Sequence, residues 1–489
     1  MVTVDPAVLL PVLAPAIGAV LVLVLDIAVP SVRRLHYAVA FGSLVIGAFG
    51  DVGSLGAGSG EAARTLCLAD RVTCFYTVTG VTASLQLAAL LAAVVTLLLA
   101  WPREHGDEPG RAAVSVALLL AATSGAVGVA AARDLGSWLV TLELATLPVV
   151  ALVALPGTRR AIAGAVQLLT TSLVSFAMLA LAAACWFAAT GSPSLLSGAA
   201  AVATTTPQRG LLALSVVLVL GGVGFKLSLV PFHAWTPTAY VGAPLPVAAF
   251  LAGVSKVGAL GALLVVLGAL TRLGGPALGA TAALAVASMT LGNVMALRQD
   301  DVVRLLAWST VAQAGWVVLP LVSISSLGIR GAGAYLVSYL VATLVAFTVV
   351  AMTKRPGLPG RRPRAARELT AYRGLLRSAP LTGAALVLAL TSLAGIPPGL
   401  LGLIGKVVAL RPVLAEGWWV VGVLAALNAV LGVAVYLRWL RVLVEPAEPA
   451  GDVEPAARPH VSHTLALALG VLALVALSVQ PQLFLGPLG

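Results

Sequence analysis

Four charged residues lie where the surrounding sequence leaves no obvious place for charge. Lys226, Lys256 and Lys406 each sit inside a long apolar run, in "GFKLSLVPFHAW", "LAGVSKVGAL" and "GLLGLIGKVVAL", and Glu143 sits inside "WLVTLELATLPVV". The chain has only four lysines, so three quarters of them are placed this way, while its 25 arginines fall in loops or near the ends of runs. Lysine and glutamate together suit proton chemistry. Desolvation can make a lysine give up its proton, and a carboxylate can take one, whereas arginine keeps its charge. A lysine near the centre of a membrane helix costs roughly 2.5–3.5 kcal/mol, so three cost on the order of 10 kcal/mol. Residues kept at that cost mark ion pathways and proton relays. Glu143 needs a basic partner at its own depth, and a lysine on another helix is the candidate. Asp26, in "VLDIAVP", lies nearer a run end and reads as interfacial.

The elements that must position these residues follow from composition. Of 489 residues, 60% are hydrophobic and 10% charged, against roughly a quarter charged in a soluble domain. Runs of about twenty apolar residues recur, each long enough to cross a ~30 Å hydrocarbon core as a helix. The expected fold is therefore an all-α polytopic membrane protein of about 14 transmembrane helices. The spans are expected near 7–29, 35–50, 72–100, 111–132, 135–155, 161–190, 210–235, 244–270, 275–297, 304–325, 330–352, 380–411, 417–440 and 461–485. No basic residue precedes the first run, so it reads as a true span and not a cleavable signal. Cys67, Cys74 and Cys185 lack metal-ligand spacing and read as small hydrophobes.

Basic residues set the orientation. The connections after odd-numbered spans hold Arg33, Arg34, Arg103, Arg111, Arg159, Arg160, Arg298 and Arg304, then the cluster from Lys354 to Arg377, then Arg438, Arg441 and Arg458. The opposite side holds only Arg64, Arg71, Arg133, Arg209, Arg272, Arg330 and Arg411. The richer side is expected to be cytoplasmic, with both termini outside. The net charge of +11 is then topology and attraction to anionic lipid, and no nucleic-acid partner is implied. The connection 354–377 is expected to be a solvated loop with an amphipathic stretch.

Two spans are expected to be broken. Pro231 removes a backbone donor and frees the carbonyl of Leu227, while Pro397 and Pro398 free those of Leu393 and Ala394. Interrupted spans at matching places in two halves point to a transporter built from inverted repeats, with its ion site at the breaks. The repeats would be 111–270 (helices 4–8) and 271–445 (helices 9–13). Residues 1–110 (helices 1–3) would be peripheral, and 446–489 would carry a cytoplasmic loop and the last helix. Ser255, Ser309, Thr310 and Gln313 could hold water along the path or bond neighbouring helices. His233 could serve as the proton inlet or cap the broken helix.

On the stretches "GFKLSLVPFHAWTPTAYVGAPLPVAAFLAGVSK", "DDVVRLLAWSTVAQAGW" and "LAGIPPGLLGLIGK", the chain resembles the antiporter-like membrane subunits of respiratory complex I, and within them the subunit N family. The resemblance covers roughly residues 70–440. It implies that Glu143 pairs with Lys226, that Lys256 continues a hydrophilic axis, and that Lys406 completes it. It also implies proton translocation within an NADH-quinone oxidoreductase of the bacterial inner membrane, whose quinone and NADH-side redox centres belong to partner subunits. No cofactor and no metal is expected on this chain, since no cysteine cluster or haem pattern is present and "GGVGFK" lies inside a span. Four positions depart from the family pattern: Thr238 for Asp, Val303 for Lys, Gln313 for a histidine found in some relatives, and Val407 for an aromatic. The chain's end after span fourteen speaks against the distal subunit of the assembly. A Mrp-type cation/proton antiporter subunit is the alternative.

Overall fold

Long apolar runs bounded by polar caps become helices in the computed structural model, which describes residues 3–30, 32–55, 62–68, 73–101, 111–196, 198–270, 275–355, 364–446 and 460–488. In chain order, α1 (Pro6–Ala28) and α2 (Arg33–Val52) lead to an antiparallel hairpin of β1 (Ala63–Cys67) and β2 (Cys74–Val78). Next come α3 (Gly80–Ala100), α4 (Arg111–Ala131), α5 (Leu135–Leu144), α6 (Leu147–Ala154) and α7 (Arg159–Thr190). Four helices follow, α8 (Thr206–Leu227), α9 (Trp235–Gly242), α10 (Leu245–Ala252) and α11 (Val254–Gly268). Then come α12 (Gly275–Ala296), α13 (Val302–Val318) and α14 (Ser326–Met352). The chain ends with α15 (Leu375–Ser378), α16 (Pro380–Ala394), α17 (Leu400–Ala415), α18 (Trp419–Val444), α19 (Val461–Val479) and α20 (Gln482–Leu485). Side-chain caps open many of these: Asp5, Thr79, Asp134, Thr158, Thr205, Asp301 and Ser325 each accept a first-turn N–H.

Among the described residues, thirteen segments are long and apolar enough to span. The remaining expected crossing, 380–411, is divided between α16 and α17, of 15 and 16 residues. The segments α10–α11, α13 and α14 are buried on nearly all sides, whereas α1, α7, α18 and α19 present apolar faces outward. Central helices meet through small residues, as helices in lipid must when close approach replaces a hydrophobic drive. A Cβ on Gly125 of α4 would overlap the backbone of Thr141 and Ala145, so only glycine lets α4 lie against the α5–α6 junction.

Three expectations are corrected. The span expected at 72–100 begins as a helix only at Gly80, because the β-branched and aromatic "CFYTV" pairs with β1 and Thr79 then caps α3. Cys67 and Cys74 are joined in a disulfide across that hairpin and so are not free hydrophobes; Cys185 is free and buried. The connection 354–377 is not a solvated loop over its described part. Ala366, Leu369 and Tyr372 are buried, the Val302 N–H donates to the Arg367 carbonyl at 2.6 Å, and Leu369 N–H donates to the Asp300 carbonyl at 2.9 Å. The Arg367 guanidinium reaches the Val241 carbonyl at 2.9 Å, near the end of α9. This strap satisfies helix-terminal groups that water would otherwise have to solvate. Arg71, Arg103, Arg272, Arg361, Arg362 and Arg458 lie outside the described residues.

Alkylation of the unfolded chain is expected to add one adduct without reductant, at Cys185, and three after reduction, read by intact mass. Three adducts without reductant would remove the hairpin link.

Candidate functional site

Each of the four charged residues sits beside an interruption of its own helix. Glu143 is next to last in α5, just before the α5–α6 junction at Ala145–Thr146. Lys226 is in the last turn of α8, which Ser228 closes in a left-handed conformation (φ 70°). Lys256 is the third residue of α11, directly after the Gly253 break from α10. Lys406 in α17 faces the end of α16, where Gly395 adopts φ 76°. Sequence reasoning foresaw the second and fourth breaks through their prolines. The first, which Pro148 at the start of α6 marks, and the third, at Gly253, were missed.

The first three residues form one cluster. Lys226 Nζ lies 3.1 Å from Glu143 Oε1 and 2.5 Å from Thr146 Oγ1. Lys226 is buried, while the Glu143 side chain keeps 16% exposure at the edge of the bundle. The hydroxyl of Thr146 donates back to the Leu142 carbonyl at 2.8 Å, which fixes it as an acceptor for the ammonium. Lys256 Nζ donates to the carbonyl of Lys226 at 2.8 Å and to Ser228 Oγ at 2.5 Å, and it lies 4.8 Å from the centre of the Trp235 ring. Pro231 was expected to free the Leu227 carbonyl. The carbonyls in use are instead those of Lys226 and of Phe225, which accepts from Trp235 Nε1 at 3.0 Å. The reason is that α8 already ends at Leu227, before the proline acts. The oxygens around Lys256 are neutral dipoles, and a cation over an indole adds to them.

The fourth residue is separate. No hydrogen bond joins Lys406 to the other three among the described residues. Its Nζ donates to the Ala394 carbonyl at 2.5 Å and lies 5.3 Å from the Trp316 ring centre. The Leu393 carbonyl accepts from Gln313 Nε2 at 3.2 Å, so both oxygens expected from Pro397 and Pro398 are indeed available and occupied. Beside Lys406, on α13, α14 and α18, runs a network whose members Ser309, Thr310 and Gln313 the sequence reading named and whose tyrosines it did not. Gln313 donates to the Tyr436 hydroxyl at 2.8 Å and accepts from the Tyr335 hydroxyl. Ser309 meets Tyr436 at 2.6 Å, and Thr310 meets Tyr339 at 3.0 Å. Ser309, Thr310 and Gln313 therefore tie α13 to α14 and α18. The available signal was the tyrosines themselves, which favour membrane interfaces and, when buried at depth, call for a hydroxyl partner. Tyr335 and Tyr339 are also four apart, on one helix face.

The other residues of interest fall away from this axis. His233 lies in the turn between α8 and α9, half-buried, its ring centre 5.3 Å from that of Trp308. No hydrogen bond links it to the four charged residues among those described. Thr238 donates to Gln167 Oε1 at 2.6 Å, pinning α9 to α7. Asp26 is 3.8 Å from the buried His36. Asp51, in the last turn of α2, is wholly buried, a second intramembrane acid that the sequence reading placed just beyond its span.

Comparison with known proteins places this geometry in context. A family model described as NADH:quinone oxidoreductase/Mrp antiporter membrane segment matches residues 132–432. The chain is 38% identical over 465 residues to NADH-quinone oxidoreductase subunit N of Salinispora tropica, covering 92% of this chain and 87% of that one. With the protein of the same description from Deinococcus radiodurans it shares 33% identity over 405 residues, 81% of this chain and 79% of that one. A chain of respiratory complex I from Thermus thermophilus, with bound aureothin, superposes with a TM-score of 0.80 at 30% identity, covering 98% and 99% of the two chains. A chain of the Mrp complex from a Dietzia species gives a TM-score of 0.82 at 20% identity, covering 99% and 96%, which is a likeness of fold alone.

Gln313→Leu would orphan the Tyr335 hydroxyl and the Leu393 carbonyl and strip Tyr436 of a donor. A loss of about 2–4 kcal/mol is expected in unfolding measurements on the purified assembly. Unchanged stability would mean that the amide does not brace these helices.

Proposed function

The chain belongs to the family of NADH:quinone oxidoreductase and Mrp antiporter membrane subunits, and we propose that it is the proton-carrying part of such an assembly, driven by quinone reduction in partner subunits. At the level the comparisons reach, it is a multi-pass, antiporter-like membrane subunit of the subunit N kind, with other membrane subunits as partners. The observation that carries the proposal is the Glu143–Lys226 ion pair, with Lys256 Nζ bonded to the backbone carbonyl of the same Lys226, set beside helix breaks.

In this reading Glu143 is the switch. Ionised and in place, it holds the proton on Lys226. Its partial exposure leaves the carboxylate accessible to a neighbouring subunit, through which the driving signal would arrive. When that carboxylate is neutralised or withdrawn, the Lys226 ammonium loses its one charged partner and releases a proton towards Lys256. From there it passes to Lys406, five residues from Arg411 and so towards the exit. Breaking a buried ion pair from one side costs about 3–5 kcal/mol, and carrying one charge against ~150 mV takes about 3.5 kcal/mol, so the switch has the right scale. His233 is the proposed inlet, though its contact is with Trp308. This chain would bind no cofactor itself, and the quinone and redox centres would reside in partner subunits.

Two architectural proposals accompany this. Segments 111–270 and 271–445 would be repeats, since in each the fourth of five spans is interrupted by a proline-bearing turn, holding Pro231 in one and Pro397–Pro398 in the other, with 1–110 and 446–489 outside them. Both termini would face outward, as the arginine distribution requires. The alternative, a Mrp-type antiporter subunit, shares the fold, but relatives at 33–38% identity carry the oxidoreductase description. Recovery with quinone-reductase subunits on co-purification is expected; recovery with sodium-extrusion subunits would favour the alternative.

Lys226→Ala and Glu143→Ala are each expected to cut proton pumping at least about tenfold while the assembly still forms, a loss of 1.4 kcal/mol or more in the barrier. Lys226→Arg should fail as well, because arginine holds its proton. Full pumping by Lys226→Arg in reconstituted vesicles would end the titration mechanism.

A further inference from the structure

A cavity of about 580 Å³ opens between the β1–β2 hairpin and the adjoining ends of α3, α4 and α11. It lies at the far end of α11 from Lys256 and contains none of the four charged residues. One wall is polar, with Arg64, Arg133, Thr77, Thr79 and Thr82; the other is apolar, with Leu85, Leu264 and Val265.

Arg133 is the informative residue. Its guanidinium donates to the carbonyls of Ala130 at 3.1 Å and Ala132 at 2.8 Å, and to the Thr82 hydroxyl at 3.4 Å. No carboxylate pairs with it among the described residues. The nearest acid in sequence, Asp134, is occupied in capping α5 through the Ser137 N–H at 2.9 Å. Burial draws the Arg133 guanidinium down to about 10, the mark of a charge removed from water without a counter-charge to repay it. Arg64, exposed on β1, stands at the same cavity without an ion pair among the described residues. The wall between them carries the first turn of α3, a 21-residue helix whose N-terminal dipole adds to the positive field.

Two guanidiniums and three hydroxyls line one cavity, and guanidinium is the cation whose donors suit a phosphate. The apolar wall beside them suits hydrocarbon, which a free inorganic anion does not bring. We propose that this cavity binds a phosphate-bearing anion, supplied by the headgroup of an anionic phospholipid whose acyl chain lies along Leu85, Leu264 and Val265.

The test uses the purified assembly in two arms. In the first, it is reconstituted in phosphatidylcholine doped with phosphatidylglycerol, and retained lipid is read by native mass spectrometry. Preferential retention of phosphatidylglycerol is expected, falling about tenfold in Arg64→Ala. Arg64 is the exposed residue of the pair and makes no backbone contact that the fold needs, so this variant keeps its structure. Arg133→Lys, which keeps the charge but loses the fork, should fall part of the way. In the second arm, lipid-stripped assembly is titrated with inorganic phosphate against chloride at matched ionic strength. Saturable thermal stabilisation lost in Arg64→Ala, without lipid selectivity, would keep the anion site and reassign its source to soluble phosphate. Neither selectivity nor stabilisation, or either one unchanged in Arg64→Ala, overturns the proposal. So does a map of the assembly in which a segment of another subunit fills the cavity.

Discussion

An ammonium inside a lipid-spanning bundle must find oxygen acceptors, and an intact α-helix offers it little, because each carbonyl already accepts from the N–H four residues on and has only one lone pair left. The placement of the three buried lysines among the described residues answers that constraint. Lys256 finds the Lys226 carbonyl where α8 stops; Lys406 finds the Ala394 carbonyl where α16 stops; Lys226 finds Glu143 and Thr146 where α5 gives way to α6. Helix breaks and charges are thus one design and not two. Lys256 and Lys406 take carbonyls left at helix ends, whereas Lys226 takes side-chain oxygens from beside a break.

The surrounding packing serves that arrangement. Gly125 lets α4 press on the α5–α6 junction, so Glu143 is held at the edge of the bundle while its partner Lys226 is interior. Trp235 and Trp316 each lie against one of the two lysines that have no carboxylate. The two clusters do not touch. Beside the Lys406 cluster, Gln313 and three tyrosines on α14 and α18 are neutral groups that brace α13 through hydrogen bonds. A strap from 364 to 377 then ties α13 and α9 together at one end of the bundle, and the disulfide-linked hairpin closes over the other.

Family membership gives the fold and the kind of assembly. Similarity to a Mrp chain at 20% identity with a TM-score of 0.82 shows how far this architecture persists while sequence drifts. What distinguishes this chain lies in particular side chains. The Gln313 amide is saturated by Tyr335, Tyr436 and Leu393, which suits a brace better than a carrier. Thr238 donates a hydrogen bond to Gln167 that fastens α9 to α7.

By itself, the sequence determined the membrane class, the run of helices, the four charges set within apolar runs and two interrupted spans near prolines, because each rests on local chemistry: hydropathy over twenty residues, the cost of charge in lipid, the missing N–H of proline. It could not show that Cys67 faces Cys74, since two cysteines seven residues apart become partners only when β1 and β2 pair. Nor did the sequence reading find the break at Ala145–Thr146, which Pro148 at the start of α6 does signal, or the one at Gly253, which carries no proline. Tertiary structure alone decided that Thr146 and Ser228 would share the lysines' hydrogen bonds, and that Tyr335, Tyr339 and Tyr436 would converge on α13. The strap was misread for the same reason. Its polarity looked like solvation, but Ala366, Leu369 and Tyr372 are buried because helix ends distant in sequence offer them a surface. Local chemistry fixes what each segment must do, and only the meeting of distant segments fixes with what.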